Sequence, residues 1–312
     1  MRLCRQGGDE KLTEHNAHEN ATLLALLRLR PNSMGWPEIA AEVALRGSAT
    51  ALWDEIYPAA LDGMGGSEDT TRSEAEHTWT QWTASSDFDV ISVLDDRYPV
   101  ALKQIHQIPP LLFTRGELRP IETAVSVVGS RDATNEGLRI AANVARGLVD
   151  RHITVLSGLA TGIDTAAHRA TLDAGGRPVG VIGTGILRTY PAASKDLHRE
   201  VAAAGALVSQ FLPDAPPQKH SFPMRNATMS GLGLASVVVE AGEHSGARIQ
   251  ARVAVEHGRP VVLTDLVVQR TQWGQALRDR PGVFVAASTA EVMRIIDRIV
   301  EVAEEPALPV LH

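Results

Sequence analysis

From residue 123 onward, short apolar segments alternate with longer amphipathic segments, and glycine or serine stands at many of the junctions. The apolar segments 124–128, 154–156, 178–182, 206–209, 236–240 and 260–263 are typical of buried strands. The segments 137–151, 162–174, 195–204, 226–234, 246–256 and 289–299 have the pattern of helices. Strands that alternate with helices are joined by crossover connections, which favour parallel neighbours. The pattern therefore predicts an α/β fold with a doubly wound, mostly parallel sheet.

The first 61 residues predict a small helical domain. Leucines at helical spacing indicate a helix over 19–30, Pro37 and Gly47 flank a second helix over 38–45, and Ser48 is a candidate N-cap of a third. Three short helices indicate a SAM-like or helix-hairpin-helix module, for which DNA contact and a packing or dimerisation role are both open. We expect a polar, glycine-rich linker over 62–86, the α/β domain over 87–302 and a short tail over 303–312.

The charge of the chain is unevenly distributed. The formal net charge is -7, and all of the excess acidity lies in the first 120 residues. By contrast, the segment 215–239 contains Lys219, His220 and Arg225 and no carboxylate. An anion is therefore best tolerated beside this segment.

Composition also narrows the cellular setting. The single cysteine, Cys4, excludes an internal disulfide and a four-cysteine zinc site, which favours a reducing compartment. No apolar run reaches the roughly 18 residues of a membrane span, and the first ten residues lack the apolar core of a secretory signal. We expect a cytoplasmic protein that does not bind membranes.

Small residues follow four of the predicted strands or lie close beyond them. They are Gly129 and Ser130, Ser157 and Gly158, Gly183 to Gly185, and Ser245 and Gly246. The carboxyl ends of parallel strands form the ligand crevice of an open α/β sheet, where small residues and helix N-termini accommodate phosphate. A single such turn is explained as well by a tight connection between strand and helix. Four together, beside Arg131, favour a phosphate-bearing ligand.

The usual motifs of catalysis are absent from the sequence. Gly129 does not begin a dinucleotide fingerprint, and neither a Walker A loop nor a Gly-x-Ser-x-Gly elbow occurs. Asp164 and His168 are spaced as an acid–base pair, although an orienting contact on one helix is the commoner arrangement. Glu240, a lone carboxylate at a strand end, is expected to cap a turn. We therefore expect no catalytic residues, no metal and no cofactor.

Several of these motifs occur in a characteristic order along the chain. They are Val127-Val128-Gly129-Ser130-Arg131, the run 155–168, Tyr190-Pro191, Phe222-Pro223-x-Arg225-Asn226, Val238-Val239-Glu240-Ala241 and Ser245-Gly246. In this order they resemble the DNA-processing protein A family, also called Smf. The resemblance covers roughly residues 19–265, and its most specific part is 157–168.

The resemblance implies an extended Rossmann-like domain that binds single-stranded DNA without catalysing a reaction on it. It also implies a homodimer that helps to load a RecA-type recombinase during uptake of transforming DNA. Carried over by position, Arg131, Arg225 and Asn226 meet phosphates. The pocket is lined by Gly129, Ser130, Ser157, Gly158, Ser245 and Gly246. We add Lys219 from its charge alone.

The sequence departs from the family pattern in several places. Ala227 stands where the family usually has a second arginine, and Gln210 stands where it has glutamate. Losing one arginine is expected to weaken DNA binding by about 1–2 kcal/mol. Thr264-Asp265 replaces Pro-Gly. From the short tail over 303–312 we expect no winged helix after residue 299.

Other functions stay open alongside this one. A paralogue specialised for defence against foreign DNA has the same motifs, and a purely structural scaffold with an empty pocket fits the loss at residue 227. A nucleotide-binding sensor or a nucleotide hydrolase on a related fold is a further alternative. The segment 240–246 lacks the Pro-Gly-Gly-x-Gly-Thr loop of the hydrolases.

Overall fold

A computed structural model of the chain describes residues 6–58 and 67–304. The helices are α1 Gln6–Leu29, α2 Trp36–Arg46, α3 Ala49–Ile56, α4 Ser67–Thr83, α5 Asn135–Val149, α6 Ile163–Asp173, α7 Lys195–Ala204, α8 Ser221–Leu232, α9 Gly246–Glu256, α10 Asp265–Arg270, α11 Gln272–Leu277 and α12 Thr289–Glu304. The strands are β1 Asp89–Ser92, β2 Leu111–Gly116, β3 Ala124–Val128, β4 Thr154–Ser157, β5 Pro178–Val181, β6 Ala206–Ser209, β7 Ala235–Val238, β8 Val261–Thr264 and β9 Val283–Ala286. Cys4 and most of the expected tail lie outside the described residues.

The chain divides into two compact units, Met1–Phe113 and Thr114–His312. This boundary lies inside β2 and differs from the expected borders at residues 61 and 87. The first unit therefore contains, besides its helices, the first strand of the segment that we assigned to the α/β domain.

The three helices expected at the N-terminus are present, but α1 begins at Gln6 and not near residue 19 as expected. Ser48 caps α3, because its hydroxyl accepts a hydrogen bond from the Ala51 amide at 3.0 Å. The buried Glu19 carboxylate of α1 reaches the same helix end and accepts from the amide of Ala49 at 2.6 Å. A carboxylate at this position satisfies amides that have no partner within the helix.

The predicted linker over 62–86 is wrong for residues 67–83, which form helix α4. This helix packs on α1 and buries Ala75 and Trp79, which are four residues apart and share one face. Arg28 on α1 donates a hydrogen bond to the Thr78 hydroxyl at 2.7 Å. The buried stripe is narrow and the rest of the helix is polar, so composition alone resembles that of a linker.

The second unit confirms the predicted parallel sheet. Its described strands lie in the order β6-β5-β4-β3-β7-β8-β9, and every neighbouring pair is parallel. β9 was not predicted, because it is a four-residue strand at the end of this order and three of its residues are only half-buried. Valines of β3, β4 and β7 pack under α5 and α12 in a continuous apolar core.

The strand order reverses between β3 and β7. From β3 the chain builds β4, β5 and β6 on one side, and then returns to place β7 on the other side. Ligands of open α/β sheets bind beyond the carboxyl ends of the strands at such a reversal. None of the described helices is both long enough and apolar enough to span a bilayer.

Candidate functional site

A cavity of about 570 Å³ lies beyond the carboxyl ends of β3 and β7. Of the residues proposed from the sequence, those that line it are Gly129, Ser130, Arg131, Arg225, Asn226, Ser245 and Gly246. The fold thus brings together residues from the β3 turn, from α8 and from the start of α9. Ser157, Gly158 and Lys219 do not line this cavity.

The turn after β3 leaves room for no side chain at Gly129. A Cβ atom at this position would lie 2.5 Å from Ile163 Cγ1 and 2.7 Å from the Glu240 carbonyl oxygen. The Ser130 amide donates a hydrogen bond to the same Glu240 carbonyl at 2.7 Å. The Ser130 hydroxyl accepts a hydrogen bond from the Asp132 amide at 3.1 Å. The Ser130 amide is therefore used to join β3 to β7 rather than to bind a ligand.

The turn after β4 differs from its predicted role. Ser157 is fully buried, and its hydroxyl donates to the Val127 carbonyl at 2.7 Å, which ties β4 to β3. The Gly158 amide donates to Asp164 Oδ2 at 3.1 Å. The Ser157 hydroxyl and the Gly158 amide are therefore already paired inside the protein and are not available to a ligand.

Arg225 is buried, makes two hydrogen bonds and packs against the backbone of Gly158. Only 7% of the residue is exposed. Nη1 donates to the Val181 carbonyl at 2.6 Å, and Nε donates to Asn226 Oδ1 at 3.1 Å. A Cβ atom on Gly158 would lie 1.9 Å from Nη1, so a side chain at residue 158 would displace the guanidinium from its present position.

Asp164 is the counter-charge of Arg225. Burial raises the pKa of Asp164, and the Arg225 guanidinium and the amides of Ala160 and Gly158 act in the opposite direction. Burial lowers the pKa of Arg225, which the charge of Asp164 partly offsets. The segment 215–239 contains no acid, but α6 supplies one in space, which the linear charge pattern could not reveal.

Arg131 is the exposed cation of the site. Its guanidinium carbon lies 5.3 Å from the ring centroid of Phe222, within the range of a cation–π contact. The rings of Phe222 and Tyr190 lie 5.8 Å apart. These side chains, with Gly158 and Arg225, line a second cavity of about 170 Å³. We missed the two aromatic residues as a unit, although both lie in the motifs Tyr190-Pro191 and Phe222-Pro223.

The remaining predicted residues have different environments. Lys219 is exposed in the loop before α8. Asn226 Nδ2 donates to the Gly246 carbonyl at 3.3 Å and so connects α8 with α9. Ala227 is 5% exposed and does not line the cavity. An arginine at this position would therefore start inside the protein rather than at the cavity.

Two carboxylates that we weighed for acid–base chemistry are structural. Glu240 accepts from the amide and the hydroxyl of Thr134, the N-cap residue of α5, at 3.0 and 2.9 Å, and it pairs with Arg270 at 2.6 Å. Asp164 forms no described hydrogen bond with His168. Burial lowers the pKa of His168 to about 3, so the imidazole is neutral. Across residues 6–58 and 67–304, no group of three or more acidic, histidine or cysteine side chains could hold a metal ion.

The chain is similar to several characterised bacterial proteins. It is 41% identical over 175 residues to the DNA processing protein DprA of Streptococcus pneumoniae, which is 56% of this chain and 62% of that protein. It is 37% identical over 172 residues to the protein Smf of Synechocystis, which is 54% of this chain and 43% of that protein. The chain thus matches less than two thirds of the length of these relatives.

Solved structures give the same result for the fold. The crystal structure of DNA processing protein A from Streptococcus pneumoniae superposes with a TM-score of 0.63 at 28% identity, over 90% of this chain and 94% of that one. The Helicobacter pylori protein, described for its single-stranded DNA binding mode, gives a TM-score of 0.60 at 19% identity over 68% of this chain and 96% of that one. This second likeness concerns the fold alone.

A family model supports the resemblance noted from the motifs. Its description is DNA recombination-mediator protein A. The model matches residues 89–299, well over half of the chain. The chain therefore belongs to the DNA recombination-mediator protein A family.

Proposed function

We propose that the chain binds single-stranded DNA through its phosphates at the cavity between β3 and β7, and that it acts in DNA recombination. The observation that carries the proposal is the meeting of two helix N-termini and Arg131 at one cavity. Neither α8 nor α9 has an acidic residue in its first turn. Their partial positive charges are therefore available to an anion.

The formal charges along the cavity wall explain why these helix ends matter. Arg131 and Arg225 are balanced by Asp132 and Asp164, which line the same cavity. The positive surplus then comes from the two helix N-termini, and Arg131 is the cation that solvent can reach. Arg225 is fixed in place by the hydrogen bonds of its Nε and Nη1 atoms. None of its described hydrogen bonds uses Nη2, so this atom is available to donate to a ligand.

The aromatic residues favour a single strand over a duplex. Phe222 and Tyr190 lie beside Arg131, and 43% of Tyr190 is exposed. Unstacked bases bind to aromatic faces regardless of sequence, whereas the bases of a duplex are already stacked. A protein of this kind combines phosphate contacts with such faces.

Fluorescence anisotropy with a labelled oligonucleotide tests the proposal. We expect the single strand to bind more tightly than a duplex of the same length, and log affinity to fall linearly with log salt. Arg131→Ala should weaken binding by about 1.5–3 kcal/mol and reduce the salt slope by about 0.7. Arg294→Ala removes an exposed arginine on α12 that lines neither described cavity and is the matched control.

The same assay separates the main alternative. A cavity of about 570 Å³ is within the usual range for small-molecule sites, so a free nucleotide is a second candidate ligand. Competition by a mononucleotide as strong as that by the oligonucleotide would favour a nucleotide sensor. Equal affinity for duplex, or binding that salt does not change, would contradict the proposed function.

The biological setting rests on family resemblance. We propose that the chain is a cytoplasmic homodimer that delivers single-stranded DNA to a RecA-type recombinase, in uptake of transforming DNA or in defence against foreign DNA. Light scattering should show a dimer at micromolar concentration. The wild-type chain should also accelerate assembly of such a recombinase on a single strand, and Arg131→Ala should do so less well.

A further inference from the structure

Gln250 is a buried polar side chain in the wall of the cavity. It lies on α9, is 1% exposed, and its Nε2 donates to the Ser236 hydroxyl at 3.3 Å. Among the described residues, no donor reaches its Oε1 atom. Buried acceptors in native proteins are almost always paired, and a donor on a ligand in the cavity would pair this atom.

The chemistry of a DNA strand limits what that donor can be. Phosphodiester oxygens are ionised and only accept hydrogen bonds. Within a DNA strand the deoxyribose has no free hydroxyl, because both of its linking oxygens are esterified. The N–H groups on base edges are therefore the donors that an internal nucleotide can offer.

The position of Gln250 on α9 fits such a contact. Gly246 and Gln250 are four residues apart on the same face of the helix, about 6 Å along its axis. Gly246 stands at the helix N-terminus, where an anion is favoured, and both residues line the cavity. A single nucleotide spans this distance from its phosphate to its base edge.

We propose that the cavity takes one whole nucleotide of the strand, with its phosphate at the N-terminus of α9 and a base-edge N–H donating to Gln250 Oε1. This inference rests on the proposed binding of single-stranded DNA. It adds a contact with a base to a site that would otherwise bind the strand through its phosphates alone. Because of this contact, a strand with bases should bind more tightly than an abasic strand, and the difference should not depend on salt.

Two oligonucleotides with identical phosphates test the inference. One is oligo-dA, and the other has abasic sites in place of its bases. The variant Gln250→Leu has a similar volume and removes the acceptor. We expect it to weaken binding of oligo-dA roughly 2- to 12-fold, the equivalent of one hydrogen bond. Binding of the abasic strand and the salt slope should not change.

Controls separate this contact from stacking and from misfolding. Gln275→Leu makes the same replacement at an exposed position on α11 and should leave both strands unaffected. Gln250→Leu removes an unpaired buried oxygen but also the bond from Nε2 to the Ser236 hydroxyl, so the two effects on stability oppose each other, and thermal unfolding should confirm that the variant is folded at the assay temperature. Gln250→Met provides a second apolar variant of similar length and should behave in the same way.

The possible failures have different meanings. If Gln250→Leu lowers the affinity for both oligonucleotides equally, or for neither, the base contact is refuted while phosphate binding stands. If the wild-type chain binds neither strand, the proposed function is refuted and the inference falls with it.

Discussion

Replacing Arg225 should reveal how strongly the buried pair with Asp164 is coupled. Arg225→Met keeps most of the side-chain volume and removes the guanidinium. Asp164, 6% exposed, then keeps its bonds from backbone amides but loses its counter-charge. Leaving a buried charge without its counter-charge costs up to about 3–5 kcal/mol, the loss seen when one partner of a contacting ion pair is removed. This is a large share of the roughly 5–15 kcal/mol that stabilises a typical domain.

The defect should depend on pH in a defined direction. Burial already raises the pKa of Asp164, and Arg225 holds it down, so removing the guanidinium raises the pKa further. A carboxyl group whose pKa is higher in the folded than in the unfolded chain costs stability while it is ionised. That cost shrinks as the pH falls and the group takes up a proton. The variant should therefore be closer to the wild type at pH 5 than at pH 8.

Urea unfolding followed by circular dichroism measures both effects. The set comprises the wild type, Arg225→Met, Asp164→Asn and the double variant, each at the two pH values. Because the buried charges of Asp164 and Arg225 interact electrostatically, the double variant should lose less stability than the sum of the single ones. Additive losses would refute the reasoning. So would a loss below about 1 kcal/mol at pH 8, since a buried carboxylate without its counter-charge should cost more than that.

Two further predictions concern packing. Gly158→Ala should cost about 1–3 kcal/mol, because the new methyl group displaces Arg225 Nη1 from its hydrogen bond with the Val181 carbonyl, and most of that loss should disappear in an Arg225→Ala background. An equal loss in both backgrounds, measured by urea unfolding, would place the clash elsewhere. Trp79→Ala should destabilise the first unit by about 3–5 kcal/mol, since the residue is 5% exposed on α4. A variant with unchanged thermal unfolding by circular dichroism would show that α4 contributes nothing there.

The sheet could be predicted from the sequence because its evidence is local. Each buried strand is a run of apolar residues, and each is followed by a helix of the right length. The convergence of Arg131, Arg225 and Ser245 could also be predicted, because the carboxyl ends of parallel strands share one edge. Where the evidence was weak locally, as in α4 and β9, the elements were missed.

The hydrogen bonding of the site could not be predicted in the same way. The Ser130 amide is taken by the Glu240 carbonyl, and the Gly158 amide by Asp164, each through a contact between separate elements. Arg225 looked unpaired only because its acid lies on α6, outside the segment 215–239. No sequence motif marked Gln250, since its proposed role depends on the unpaired Oε1 atom of a buried residue that lines the cavity.

The order of strands has a consequence for how the protein is made. β3 to β6 are contiguous in the chain, so this half of the sheet can form while later residues are still being synthesised. β7 must then return to pair with β3, at the register Val125 to Ala235, and this pairing creates the crevice. Until it does, one edge of β3 is open to other chains, with the attendant hazard of aggregation. The ligand site is thus among the last parts of the molecule to appear during synthesis, and a nascent chain halted before β7 has no crevice to offer.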